Sequence, residues 1–209
     1  MRPLPRLHAV TDDSVLALED FAIRAAAIAA AGPAVALHAR SRRLDGAGFA
    51  ALVGRLLAHA RPPEASVFVN GRPDIAAALG AHGVQLAATD LAPRDARLVL
   101  GPSWQGWIGR SVHDPVEAAA ARDEGADFLV VGSIYETATH PGQPPAGLGL
   151  IAEVARLGLP VVAIGGITPE RVVEVKDAGA WGVAAISALW QAKDPAATAL
   201  AMLEPWSGT

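Results

Sequence analysis

The 209-residue chain contains no cysteine, which excludes disulfides, thiolate nucleophiles and thiolate-held zinc together. It has no apolar run near the roughly 18 residues that a membrane span needs, because Gly, Pro and charged residues interrupt every stretch. The 17 Lys and Arg form no basic stripe and the formal net charge is −4, so neither nucleic acid nor membrane is expected as a partner. An anionic ligand would depend on local N–H groups rather than on a global field. The start, Met1-Arg2-Pro3-Leu4-Pro5-Arg6, runs into a short strand instead of a signal-peptide apolar region, and a cytoplasmic protein is expected.

Apolar residues make up 52% of the chain, enough for the core of one large domain over residues 1–209. Short apolar runs alternate with alanine-rich helical stretches, without a linker-like shift in composition. Eight strands are predicted, at 7–11, 34–40, 66–70, 83–87, 107–112, 128–133, 160–165 and 182–187. Helical patterns lie between them at 19–31, 47–60, 115–124, 148–157 and 169–178. Asp114-Pro115-Val116-Glu117 has the cap, first-turn proline and third-position glutamate of a helix start. Thr168-Pro169 and Asp194-Pro195 repeat that device. Eight such units with nearly continuous apolar strands predict an α/β fold, a (β/α)8 TIM barrel, over an open doubly wound sheet. The open sheet would carry its glycine-rich turn after the first strand, whereas here the diglycine follows the seventh.

That diglycine lies in Pro160-Val161-Val162-Ala163-Ile164-Gly165-Gly166-Ile167-Thr168-Pro169-Glu170. An apolar strand ending in two glycines and opening onto a helix start leaves backbone N–H groups facing outward, a seat for phosphate. The next apolar run ends at Ser187, so two neighbouring strand ends would grip one anion.

Catalytic groups of a barrel sit at the carboxyl ends of its strands. Here those positions offer Thr11, Asp12, His38, Arg40, Arg42, Asn70, Gln85, Asp90, Ser111, His113, Ser133, Thr137, Thr139, His140 and Ser187. Arg40 and Arg42 alternate, so both are expected in the mouth, where a guanidinium suits phosphate or carboxylate. The loop 135–149 is rich in Gly, Pro and hydroxyls and reads as a lid, with His140 placed for phosphate contact or proton transfer. His8, His59 and His82 fall away from the predicted mouth and receive no function. For Mg²⁺, Asp90 is the one well-placed carboxylate, with Asp12 a distant helper. Trp104, Trp107, Trp181, Trp190 and Trp206 leave two readings open, contacts in a homo-oligomer or burial under the helix layer.

Taken in order, Val10-Thr11-Asp12, Val69-Asn70, Gly83-Val84-Gln85-Leu86, Gly109-Arg110-Ser111-Val112-His113, Gly125-Ala126-Asp127-Phe128 and Gly132-Ser133-Ile134-Tyr135-Glu136-Thr137 resemble the thiamine-phosphate synthase and TenI superfamily. The runs 163–167 and 183–187 extend the resemblance over nearly the whole chain. It implies a small-molecule partner, a phosphorylated thiazole or thiamine phosphate, with the phosphate on Gly165, Gly166, Ile186 and Ser187 and with Gly147 closing from the lid. Within the superfamily, synthases join a pyrimidine pyrophosphate to the thiazole phosphate with Mg²⁺, whereas TenI-type proteins catalyse a proton shift that aromatises the thiazole.

Several positions depart from the synthase pattern. Its Gln-x-Arg-x-Lys reads His38-Ala39-Arg40-Ser41-Arg42, and its Asn-Asp reads Asn70-Gly71. The Gln-x-Asp reads Ala88-Thr89-Asp90, leaving Asp90 as the one matching metal ligand. The Thr-x-Thr-Lys clamp reads Thr137-Ala138-Thr139-His140. A metal contributes several kcal/mol of charge stabilisation, so a lost carboxylate and a lost fixed cation weigh against pyrophosphate chemistry. The tautomerase pattern has its own gap, since Ser133 stands where that branch carries histidine.

The leading expectation is therefore a TenI-like thiazole tautomerase, an isomerase needing no cofactor, with His140, His38, Ser133 and Arg40 as catalytic groups. Arg42, Asn70, Ser111, Thr137 and Thr139 would bind the substrate. One alternative is a divergent thiamine-phosphate synthase using Mg²⁺ with Asp90 and Arg42, coupling hydroxymethylpyrimidine pyrophosphate to thiazole phosphate. Another is a non-catalytic protein that binds thiazole phosphate or thiamine phosphate.

Overall fold

The computed structural model describes residues 2–60, 64–137, 142 and 144–208. Eight parallel strands close into one barrel in sequence order, with β8 returning to β1. They are β1 Leu7–Val10, β2 Val35–Ala39, β3 Ser66–Asn70, β4 Gly83–Leu86, β5 Trp107–Val112, β6 Phe128–Val131, β7 Val161–Ile164 and β8 Gly182–Ala185. The helices between them are α1 Asp13–Leu16, α2 Phe21–Ala29, α3 Gly46–His59, α4 Pro73–Leu79, α5 Pro93–Leu100, α6 Pro115–Asp123, α7 Gly147–Ala155, α8 Val172–Asp177, α9 Ser187–Trp190 and α10 Pro195–Leu203. This is the predicted (β/α)8 fold, with the predicted strands overrunning some carboxyl ends by one or two residues. The residues past those ends form the loops of the mouth.

The period of two along each strand separates two apolar layers. Leu7, Ala9, Leu37, Val67 and Val69 face outward onto the helices, while Val10, Ala36, Phe68, Phe128, Val162 and Ala184 fill the lumen. The two lumen phenylalanines pack edge to face with centroids 5.8 Å apart. Glycines on neighbouring strands make room for them, since a Cβ on Gly83 would strike the Phe68 ring and one on Gly109 the Phe128 ring. The barrel is therefore a packed core closed below and open only at its carboxyl end.

Aspartate caps fix several helix starts. Asp45, Asp114 and Asp194 accept from the N–H groups of Gly48, Glu117 and Ala197 at 2.8, 2.8 and 3.0 Å. The expected Thr168 cap is different: its side chain makes no capping bond. The predicted helix 169–178 splits into a 3-10 turn, Pro169–Arg171, and the six-residue α8. Three of the five tryptophans make contacts within the chain. Trp190 stacks on Phe21 at 5.4 Å, Trp181 lies under the Arg6 guanidinium at 3.4 Å, and Trp107 donates to the Arg2 carbonyl at 2.9 Å. Among the described residues no helix is long and apolar enough to cross a membrane.

Candidate active site

Two hollows open side by side at the carboxyl end of the barrel. One, of about 580 Å³, lies over the ends of β7 and β8, and the other, of about 920 Å³, over β1 to β5. Ser133, Ile164, Ala184 and Ile186 line both, so they form one cleft in two parts.

The smaller hollow is walled by Ser133, Thr137, Gly165, Gly166, Arg171, Ile186 and Ser187. Gly165 and Gly166 have φ of +101° and +65°, conformations that a side chain disfavours. The loop after β6 packs directly on them: a Cβ on Gly165 would lie 2.6 Å from Ser133 Cβ, and one on Gly166 2.6 Å from the Glu136 carbonyl oxygen. Among the described residues, the backbone N–H groups of Gly166, Ile186 and Ser187 have no acceptor. Three free donors around one concavity suit an anion. Since α8 and α9 are short, the donors belong to tight turns rather than to a long helix dipole.

Arg171 completes this wall, and sequence reasoning missed it. Its Nη1 donates to the Gly166 carbonyl at 2.6 Å, and its guanidinium lies 4.3 Å from the Tyr135 ring centroid. Tyr135 in turn donates to Glu174 Oε1 at 2.5 Å, and burial, with Glu174 second, pushes its pKa up to about 12. The chain Glu174–Tyr135–Arg171 ties the loop after β6 to the diglycine turn. No local pattern marks Arg171; only the fold brings it under Gly166.

The larger hollow collects His38, Arg40, Arg42, Asn70, Gly71, Arg72, Gln85, Asp90 and Ser111. Arg40 is half-buried, and burial, followed by the repulsion of Arg42, lowers its pKa. Neither Arg40 nor Arg42 has an ion-pair partner among the described residues. Asp13 holds their loop by accepting from Ser41 Oγ at 2.5 Å and from the Arg42 N–H at 3.3 Å. Gln85 donates to Ser111 Oγ at 3.0 Å, leaving its own buried Oε1 without a partner.

Other predicted groups are spent on structure. Thr11 is fully buried and bonds the end of β2 through the His38 and Arg40 carbonyls at 2.9 and 2.8 Å. Asp12 caps α1 through the Ser14 and Val15 N–H groups. His113 pairs with Glu117 at 3.0 Å on the surface of α6. The Gly147 N–H is donated to the Ile134 carbonyl at 3.1 Å, which pins the base of the loop, and Gly147 does not line the smaller hollow. Thr139 and His140 lie outside the described residues.

His38 does not stand free in the mouth. It is 1% exposed, with Nε2 2.8 Å from His8 Nδ1 and Nδ1 3.1 Å from the Asn70 amide. His8, to which the sequence reading gives no function, lines the same hollow. Strand parity is the signal that could have found it: His8 lies two residues before the lumen-facing Val10, so it must face inward too.

Among the described residues no group of three or more His, Asp or Glu is placed to hold a metal. Asp90 accepts from the Ala87 N–H at 2.7 Å. It lies beside Gly71, where an added Cβ would come 3.3 Å from Oδ2. One carboxylate facing open space fits a Mg²⁺ ion carried mainly by substrate phosphates and water, since Mg²⁺ usually takes only one or two protein carboxylates.

A family model described as thiamine monophosphate synthase, TMP-TENI, matches residues 7–189. A thiamine-phosphate synthase of Thermus thermophilus is 40% identical over 178 residues, 84% of each chain. One of Methylobacillus flagellatus is 37% identical over 193 residues, 92% of this chain and 90% of that one. Among solved structures, a thiamine phosphate pyrophosphorylase of Pyrococcus furiosus superposes with a TM-score of 0.81 at 30% identity, covering 96% of this chain and 94% of its own. These relatives overturn the expectation of a TenI-like tautomerase and favour the synthase alternative.

Proposed function

Since this chain belongs to the thiamine monophosphate synthase family, we propose that it is a thiamine-phosphate synthase, a transferase joining hydroxymethylpyrimidine pyrophosphate to thiazole phosphate. The observation that carries the reading is the two-part cleft. A set of free N–H groups suits a phosphate monoester, and an adjoining hollow with two unpaired arginines and one carboxylate suits a pyrophosphate ester.

In this reading Gly166, Ile186 and Ser187 hold the thiazole phosphate, with the Gly165 turn keeping their N–H groups aimed. Arg40 and Arg42 bind the pyrophosphate, with Thr137 contributing from the loop after β6. Asn70 and Ser111 orient the pyrimidine, and Ser133 stands where the two substrates meet. The thiazole nitrogen lone pair forms a bond to the pyrimidine methylene carbon. The bond from that carbon to pyrophosphate oxygen breaks, and its electron pair leaves with the pyrophosphate. No side chain has to take a proton, which agrees with the buried His8–His38 pair being engaged in hydrogen bonds. Mg²⁺, when bound at Asp90 and the substrate phosphates, supplies positive charge to the leaving group. Arg40 and Arg42 do the same from the protein side.

The test is the initial rate of thiamine phosphate formation from both substrates with Mg²⁺. Saturation in each substrate is expected. Tight binding of thiazole phosphate without any product would overturn the reading.

A further inference from the structure

The fold brings together two histidines that the bond-forming step does not use. His8 on β1 and His38 on β2 both face the lumen, 0% and 1% exposed. The His8 ring contacts Phe68 and Phe128 at centroid distances of 5.5 and 5.7 Å, and His38 stacks on Phe68 at 5.0 Å. No carboxylate bonds either ring among the described residues. A hydrogen-bond chain runs through them from the barrel's closed end to its mouth. His8 Nε2 lies 3.1 Å from the Pro5 carbonyl oxygen, His8 Nδ1 2.8 Å from His38 Nε2, and His38 Nδ1 3.1 Å from Asn70 Oδ1.

Donor and acceptor rules assign every proton along this chain. A carbonyl only accepts, so His8 Nε2 carries hydrogen. Burial keeps both rings uncharged near neutral pH, lowering His38 to about 4 and His8 well below its usual value. An uncharged His8 then has a bare Nδ1, and His38 must donate to it from Nε2. His38 Nδ1 is bare in turn. Facing the Asn70 oxygen it would make a pair of acceptors, and a half-turn of the amide removes the conflict. The Asn70 nitrogen then donates to His38, and its carbonyl oxygen points into the cleft.

We propose that His8 and His38 are positioning residues, whose chain from the Pro5 carbonyl to Asn70 presents the Asn70 carbonyl oxygen as an acceptor for an N–H of the pyrimidine substrate. The identity of that donor, the exocyclic amine of an aminopyrimidine, rests on the synthase reading. The orientation of Asn70 does not.

Two experiments test it. In ¹⁵N NMR of the histidine-labelled protein without substrate, both rings are expected as Nε2–H tautomers near neutral pH. A His38 ring protonated at Nδ1 would overturn the proposal. In kinetics, His8→Leu removes the acceptor for His38 and releases Asn70. Losing one neutral hydrogen bond predicts a KM for the pyrimidine pyrophosphate raised about three- to tenfold, with kcat and the KM for thiazole phosphate held within about twofold. His8→Gln, which keeps an acceptor, should restore the pyrimidine KM to within about twofold of the unaltered protein. An unchanged KM in His8→Leu, or equal rises for both substrates, would refute the positioning role. Should His8→Leu not fold, the tautomers of the unaltered protein decide the matter. The expected tautomers with no turnover at all would leave the chain standing and overturn the synthase reading instead.

Discussion

Gly166→Ala perturbs the turn proposed to seat the thiazole phosphate. The residue has φ of +65°, and the new Cβ would stand 2.6 Å from the Glu136 carbonyl oxygen and 2.8 Å from Tyr135 Cβ. The left-handed conformation costs alanine about 1 kcal/mol more than glycine. Relieving both contacts means moving the loop after β6, an overpacking cost of about 1–3 kcal/mol. The sum, about 2–4 kcal/mol, corresponds to a Tm lowered by roughly 5–15 °C in a domain of this size. Displacing the turn also misaims the N–H groups for phosphate. Losing one charge-assisted hydrogen bond predicts a KM for thiazole phosphate raised about ten- to a hundredfold. The assay pairs thermal unfolding with initial rates, using Gly54→Ala as control. Gly54 lies in α3, and a Cβ added there would meet nothing within 4 Å, so that change should raise Tm by about 2–4 °C through helix propensity. A Gly166→Ala protein with unaltered Tm and thiazole-phosphate KM would refute the reasoning.

Asp90→Asn keeps an acceptor for the Ala87 N–H but removes the carboxylate proposed to hold Mg²⁺; folding should hold while kcat falls at least about tenfold and the Mg²⁺ requirement rises, read from rates at stepped Mg²⁺. Phe68→Ala empties the centre of the lumen and should cost about 3–5 kcal/mol in denaturant unfolding. Stability should also depend on pH through the buried histidines. His38 is lowered to about 4 in the folded chain, so below about 6.5 the unfolded chain binds the extra proton. The stabilisation is complete above about pH 6.5 and is lost as pH falls through about 4, on the order of 3 kcal/mol for His38 alone. Unfolding free energies measured across that window should slope less in His38→Gln.

The barrel is legible in the sequence because its strands are buried on both faces and read as near-continuous apolar runs such as 128–131 and 161–164. Strand parity also puts Arg40, Asn70 and Ser111 at one mouth. Single-residue patterns cannot reveal what depends on contacts between distant strands. Arg171 reaches the diglycine only because the chain turns back after Pro169, and His8 meets His38 only through the register of β1 against β2. The helix predicted after β7 is too long, because Thr168-Pro169 looks like a cap although the Thr168 side chain does not act as one.

The functional expectation fails for a related reason. Gly71 and His140 stand where the synthase pattern carries a carboxylate and a cation, and the tautomerase expectation weighs those two losses as if each group acted alone. In the proposed synthase reading, the cleft supplies charge collectively. Arg40 and Arg42, just past β2, and Asp90, in the loop after β4, line one hollow, and a pyrophosphate brings its own metal-binding oxygens. Removing one carboxylate from such a set changes how strongly Mg²⁺ is held without removing the means to bind the leaving group.

The most direct test of the synthase account is pyrophosphate release by the purified protein with Mg²⁺ and hydroxymethylpyrimidine pyrophosphate, with and without thiazole phosphate. The account predicts one pyrophosphate per thiamine phosphate, released only when both substrates are present. Both substrates present with no thiamine phosphate formed would contradict it.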